Sequence, residues 1–588
     1  MGVHHEIQQV SEGESKRSKK WYLPSPMFHI RLTQTIHESL VVLFYALLVG
    51  VVAGYGAVGF RKLIDLFQFT FFDVGKGSLH SLGRFDVWLL PAIGLLLVSL
   101  LVRFFAPEAK GHGVPEVMAA IAEKGGIIRP RIVLVKAVAS ALTIGSGGSV
   151  GREGPIVQIG SAFGSALGQY LGLPSRLLRL LVACGAGAGI AATFNAPIGG
   201  VMFATEVILG SFVLQNFTAI VISSVVSAAI GRIYLGNTPA FPMPLYEVGH
   251  FSVYWVYVVV GVFAGLWSVI YIKTLYRIED WFDARKWSFW VKALFGGAVV
   301  GLIGIGFPEV FGVGYSSVDA ALMHHLGLWL LIALLVLKLF ATSVTIAAGG
   351  SGGVFSPGLY MGSMLGGAIG VLLSFIFPHF GLSPGALAMM GMAGVFAGSS
   401  QAPVTAIMML FEMTGDYNII LPLMITSVLS ATITSLLSKE TIYTLKLSRR
   451  GLDITRTRQA DRMKAIYVGE AIAVERLTVS ANQTIAQAWE AFSQTKDWFA
   501  LVRNRKGELL GSVARAQVLE ALTTHHEEDL LESLLPQNIY RIDERATLAK
   551  ALHQMNQLGV TYLLVCRKDE PIGVIGSSDI IHSYESKD

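Results

Sequence analysis

Hydrophobic and polar positions are arranged differently in two parts of this chain. Up to about residue 440, charged residues punctuate long apolar runs: Leu40–Phe60, Val87–Val102, Leu180–Thr205, Val207–Gly231, Phe251–Ile272 and Asn418–Ser438 contain no Asp, Glu, Lys or Arg. Each is near or above the ~20 residues a helix needs to cross hydrocarbon, so each predicts a spanning helix. A further 73 residues, Leu339–Phe411, are also uncharged and predict several helices. Gly and Pro interrupt these runs often. Broken helices survive in lipid only where their loose backbone is buried in protein or lines a polar cavity, so the pattern predicts an internal pathway. Close packing of helices through small residues is the competing explanation.

From about Gly451 the pattern changes to short strand-like and helix-like segments, and hydropathy no longer supports spanning. Two stretches can be laid over each other: "LTVSANQTIAQAWEAF…DWFALVRNRKGELLGSVARAQVL" and "IYRIDERATLAKALHQM…TYLLVCRKDEPIGVIGSSDI". Thr484 matches Thr547 and Gly511 matches Gly573. Each copy predicts a helix, a strand, a turn and a second strand leading into another helix.

Composition agrees with a membrane protein: 53% of residues are hydrophobic and 14% charged, against roughly 25% charged in a soluble domain. The net charge of +5 is explained by orientation. The bases cluster beside the spans, in "SKRSKKW" before the first and at Lys439, Lys446, Arg449, Arg450, Arg456 and Arg458 after the last. This predicts a multi-pass protein of the cell (plasma or inner) membrane with both termini cytoplasmic, and no nucleic-acid partner. Cys184 lies in a span and Cys566 in the polar tail, so no disulfide is expected. The polar start and long first apolar run predict no cleaved leader.

Chemistry concentrates in three glycine-rich stretches, "GHGVPE" (Gly111–Glu116), "GREGP" (Gly151–Pro155) and "GGVFSP" (Gly352–Pro357). Each puts glycine and then proline where a helix can begin, and a helix start leaves backbone N–H groups unpaired. Turned inward, such ends offer a dehydrated anion donors and a positive dipole end. Cation selectivity needs rings of carbonyls or carboxylates instead. Arg152 and Glu153 are the only charges between Lys136 and Arg176. An intramembrane carboxylate needs a role or a partner. Ionised, Glu153 can occupy the place of the anion; protonated, it loses that attraction and leaves, which makes it a proton-worked gate. A salt bridge to Arg152 is the alternative.

The three motifs in this order, with "FNAPIGGVMFATE" (Phe194–Glu206), "QAPVTAIMMLFEMTGDY" (Gln401–Tyr417) and Tyr443 after the last span, resemble the CLC family of chloride channels and chloride/proton antiporters. The resemblance implies a multi-pass α-helical fold built from two inverted repeats of tilted, broken helices, a homodimer in the lipid bilayer with one pathway per subunit, and chloride or another small anion as the transported ion. By position it places the anion against Gly111, His112, Gly113, Arg152, Gly154, the amides of Val354 and Phe355 and the hydroxyl of Tyr443, with Glu153 as external gate. His112 stands where the family commonly has serine or proline, and either donates to the anion or turns toward a neighbouring carbonyl. Val207 stands where many antiporters carry an inner proton-relaying glutamate, which favours a passive channel; a chloride/proton antiporter with another internal proton route is the alternative. Glu206 occurs in both kinds.

The C-terminal repeat resembles a tandem pair of cystathionine-β-synthase-type (CBS) domains, α/β units that can hold adenine nucleotides. Asp579 retains that family's nucleotide-contacting aspartate; Gly576 replaces a hydroxyl, and the first copy has Ala514 and Gln517. Capping of the following helix is the other reading of Asp579. The expected division is a cytoplasmic segment over 1–36, a transmembrane anion-transport domain over 37–447 and cytoplasmic CBS domains over 448–588, the copies at about 466–523 and 533–588. Enzyme readings fail: no base is fixed near Ser146 or Ser149, and no phosphate loop ending in Gly-Lys-Ser/Thr exists. A membrane-anchored nucleotide sensor is the remote alternative, which the many glycine breaks argue against.

Overall fold

The computed structural model describes residues 26–75, 86–212, 214–237, 241, 253–452, 466–472, 477–495, 497, 499–524, 527–535, 540–567, 570–577 and 579–581. The basic run at 16–20, Arg456 and Arg458 lie outside them. The chain divides into two compact units, Met1–Leu452 and Asp453–Asp588.

In the first unit the helices are α1 (Pro26–Gln68), α2 (Asp86–Phe105), α3 (Val114–Glu123), α4 (Ile132–Gly145), α5 (Glu153–Tyr170), α6 (Ser175–Phe194), α7 (Pro197–Met202), α8 (Leu214–Leu235), α9 (Tyr254–Ala284), α10 (Phe289–Gly306), α11 (Tyr315–Leu322), α12 (Leu328–Ala347), α13 (Phe355–Ile376), α14 (Pro384–Ser400), α15 (Pro403–Thr414), α16 (Ile420–Leu437) and α17 (Thr444–Ser448). Among the described residues, nine are long and apolar enough to cross a membrane, and α4, α15 and the segment Pro197–Leu209 are shorter apolar pieces. The uncharged stretch Leu339–Phe411 holds the end of α12 and most of α13, α14 and α15.

Two apolar runs are not single helices. Leu180–Thr205 breaks at Asn195, which adopts φ +57°, followed by Pro197. Val207–Gly231 begins in a π-type turn, Phe203–Leu209, that ends at Gly210 before α8 starts. Hydropathy registers side chains, whereas both breaks are made by the backbone. Helix α1 starts at Pro26, and its candidate membrane span begins at Leu40.

Helices approach closely where glycine faces glycine. A Cβ on Gly160 of α5 would lie 2.2 Å from the carbonyl oxygen of Gly185 on α6, and one on Gly185 would lie 2.1 Å from that of Gly160. The pair Gly362 on α13 and Gly391 on α14 repeats this, at 2.3 and 2.1 Å. Backbone contact of this kind is how apolar helices associate in lipid, where hydrophobic burial gives no preference between a helix and a lipid tail.

In the second unit, β1 (Thr478–Ser480), β2 (Phe499–Arg503) and β3 (Leu509–Ala514) form one sheet and β4 (Arg541–Asp543), β5 (Tyr562–Arg567) and β6 (Glu570–Gly576) another, each with a parallel then an antiparallel pairing. The sequence repeat is exact at the level of register: Gly511 pairs with Val502 and Gly573 with Val565, and a bulge follows in both sheets. Thr484 and Thr547 are both helix N-caps, accepting from the amides of Gln487 and Lys550. The Asp579 carboxylate accepts from the amide of Gly576 at 2.7 Å, as the side chain of Gln517 does from Ala514 at 2.9 Å. In both copies the residue three places on closes the backbone after the strand.

Candidate anion pathway

The three glycine-rich motifs meet. Gly111 forms a parallel bridge with Ser351 and Gly151 an antiparallel bridge with Gly353, whose reciprocal N–H to carbonyl bonds are 2.8 and 2.6 Å. Gly154 packs so closely on the first motif that a Cβ there would lie 2.0 Å from the His112 carbonyl oxygen. Gly113, at φ +80°, is the N-cap of α3, a backbone conformation glycine adopts without a Cβ penalty. Helices α3, α5 and α13 therefore begin beside one another, with Pro115, Pro155 and Pro357 in their first turns. Each proline occupies a turn in which its missing N–H costs nothing.

Glu153 opens α5 and is 1% exposed. Its carboxylate reaches the start of α13, where Oε2 accepts from the Ser356 amide at 3.3 Å and Oε1 accepts from the Ser356 hydroxyl. Oε1 also accepts from the Tyr315 hydroxyl at 2.9 Å. A carboxyl group thus sits at a helix N-terminus among three donors, which is the environment a dehydrated anion requires. Val354 and Phe355 precede Ser356 at this end. The Val354 carbonyl accepts from the Tyr271 hydroxyl at 2.8 Å, and the Phe355 ring packs on Phe194 and Phe396 at 5.3 and 4.3 Å.

Arg152 does not pair with its neighbour. Among the described residues no ion pair joins it to Glu153; its guanidinium lies 5.0 Å over the Tyr315 ring and donates to the Thr193 carbonyl at 3.4 Å. Tyr443 is 2% exposed at the start of α17, held by a bond from its amide to the Thr441 hydroxyl. His112 is fully buried, its ring edge-on to Tyr276 at 6.4 Å, and among the described residues neither ring nitrogen has a hydrogen-bond partner. The turn toward a neighbouring carbonyl is therefore not made here, and a buried imidazole without a partner calls for a ligand or water.

Val207 is 5% exposed in the π-type turn after α7. Its neighbour Glu206 turns to α15, accepting from the amides of Val404 and Thr405 at 3.3 and 2.7 Å and from the Thr405 hydroxyl at 2.6 Å. Glu412 at the other end of α15 accepts from the amides of Ile198 and Gly199 on α7, at 3.0 and 2.7 Å. The π-type turn that follows α7 thus supplies the carboxylate that caps α15, and α15 supplies the one that caps α7. Glu412→Ala is expected to cost about 1–3 kcal/mol through the two freed amides, lowering the melting temperature in detergent, with Glu412→Gln restoring part of it. An unchanged melting temperature in both would remove this cap as a source of stability.

Several supporting residues escape motif reading but have a signal in the sequence. "TIGSGGSVGREGP" (Thr143–Pro155) returns as "TIAAGGSGGVFSP" (Thr345–Pro357), and "PEAKGHG" (Pro107–Gly113) as "PEVFGVG" (Pro308–Gly314). The structure repeats with them. Lys136, fully buried, donates to the carbonyls of Ala109 and Gly111 at 2.9 and 2.7 Å, and Lys338, also buried, to those of Val310 and Gly312 at 2.9 Å each. Ser356 and Tyr315, the two side chains that hold Glu153, belong to the second copy.

Comparison with known proteins decides the family. The family described as "Voltage gated chloride channel" matches residues 94–435. This chain is a CLC protein. A CBS domain matches residues 532–586. The H(+)/Cl(-) exchange transporter ClcA of Salmonella schwarzengrund (strain CVM19633) is 32% identical over 441 residues, covering 71% of this chain and 90% of that protein. Among solved structures, a slow cyanobacterial Cl-/H+ antiporter is 25% identical with a TM-score of 0.66, over 70% of this chain and 97% of its own. A eukaryotic CLC transporter shares the fold at 17% identity, TM-score 0.61, over 92% of this chain and 98% of its own. Membership makes this a multi-pass membrane protein of anion transport, in a family of channels and transporters rather than enzymes, with a CBS region after the membrane fold.

Proposed function

We propose that this CLC protein passes chloride along a pathway closed by Glu153 when ionised and opened when that carboxylate takes a proton. The observation that carries the reading is the Glu153 carboxylate itself, buried at the start of α13 and accepting from the Ser356 amide, where an anion would otherwise sit. Gly111, His112, Gly113, Arg152, Gly154, Val354, Phe355 and Tyr443 form the proposed anion-binding set, to which the fully buried His112 contributes a ring N–H as donor. His112→Ser is expected to change the chloride-to-nitrate permeability ratio severalfold; an unchanged ratio would take His112 out of the pathway.

Passive conduction is the form the site favours, because the buried Val207 cannot carry a proton. Coupled exchange is the second reading, favoured by a 32% identical relative that bears the name H(+)/Cl(-) exchange transporter. The deciding experiment uses purified protein in a planar bilayer under a chloride gradient. A reversal potential fixed at the chloride value when a pH gradient is added supports the channel, and a shift supports exchange by a route other than Val207.

The proposal extends to a homodimer with one pathway per subunit, in the cell membrane with both termini cytoplasmic. Residues 37–447 would carry transport and 448–588 regulation. An adenine nucleotide at the CBS pair would have to displace or share the bond between Asp579 and the Gly576 amide.

A further inference from the structure

We propose that Tyr315 is the latch of the Glu153 gate, its hydroxyl holding the ionised carboxylate in the anion's place and thereby setting the pH at which the pathway opens. This rests on the gating role of Glu153. Tyr315 is the first residue of α11, and its hydroxyl lies 2.9 Å from both Glu153 Oε1 and the Ser356 hydroxyl oxygen. The ring has little freedom: the Arg152 guanidinium lies 5.0 Å over it and Phe241 meets it edge-on at 5.2 Å. The chain leading into it is also fixed, since Gly314 takes φ +80° and buried Lys338 holds the Val310 and Gly312 carbonyls just before. Tyr315 further lines a cavity of about 410 Å³, together with Arg152.

The charges around the gate do not duplicate this role. Arg152 is turned over the Tyr315 ring, and Arg61, Asp65 and Glu309 also line the cavity. The phenol of Tyr271 is spent on the Val354 carbonyl, and the other nearby phenol is that of Tyr443. Among the described residues, Tyr315 and Ser356 are the side chains that donate to the carboxylate. A donor bonded to the ionised form favours that form, and with it the closed gate. Losing the donor favours protonation and moves opening to higher pH.

The test is Tyr315→Phe, which keeps the ring for Arg152 and Phe241 and removes only the hydroxyl. Chloride efflux from liposomes across a pH series is expected to show its midpoint moved up by about one to two pH units. Infrared titration of the carboxyl stretch, against Glu153→Gln as reference, should move in parallel and does not depend on flux. The double variant Tyr315→Phe/Glu153→Ala should have no pH midpoint to shift. An unmoved midpoint in Tyr315→Phe, with Glu153→Ala insensitive to pH, overturns the latch and leaves the gate standing. A pH dependence that survives in Glu153→Ala overturns the gate, and the latch with it.

Discussion

Glu153→Ala should conduct chloride at a rate that no longer responds to pH. With Glu153 as the proposed gate, a single proton would control whether the carboxylate or the anion occupies the start of α13, so flux on the closed side should fall toward tenfold per pH unit. Alanine removes both oxygens and leaves the Ser356 amide, the Ser356 hydroxyl and the Tyr315 hydroxyl free for the anion. Over two pH units the parent is expected to change by up to about 100-fold and the variant by less than about twofold. Glu153→Gln, which mimics the protonated form, should resemble alanine in its flat profile. If Glu153→Ala kept the parent's slope, another group would be the gate. Under the exchange reading the same variant should also stop proton movement while chloride continues.

Gly154→Val should prevent the pathway from assembling. The missing Cβ of Gly154 leaves room for two other motifs: it would lie 2.0 Å from the His112 carbonyl oxygen and 3.0 Å from the Gly353 Cα. Both are backbone atoms, in segments already tied by the Gly111 to Ser351 and Gly151 to Gly353 bridges. No rotamer change relieves such a contact, so the cost should exceed the ~1–3 kcal/mol of ordinary overpacking. Little folded protein is expected from Gly154→Val or from Gly154→Ala, since both carry the Cβ that meets the His112 carbonyl oxygen. A Gly154→Val protein with the parent's melting temperature and flux would mean that the three helix starts need not touch.

Much of the site was legible because its chemistry is written in short segments. Glycine followed by proline marks the starts of α3, α5 and α13, since few other residues suit those backbone positions. Glu153 stood out because a carboxylate in an uncharged stretch must be explained. The duplicated threonines and glycines of the C-terminal part gave its repeat, and the sheets keep that register at Gly511 and Gly573. The helix boundaries at Asn195 and Gly210 were not legible from hydropathy, because an apolar side chain carries no record of a left-handed backbone turn.

The sequence by itself determined that the chain lies in a membrane, where its charges fall, and at which glycine–proline segments α3, α5 and α13 begin. Those properties depend on composition and on neighbours a few residues apart. Only the tertiary structure decided who holds the gate. Tyr315 and Ser356 lie more than 160 residues from Glu153 in the chain, Arg152 turns to an aromatic face instead of its neighbouring carboxylate, and Glu206 and Glu412 cap α15 and α7. Such partners are chosen by where helix ends meet in space. In lipid, every buried polar group must find its partner within the protein, so those meetings fix the chemistry of the pathway.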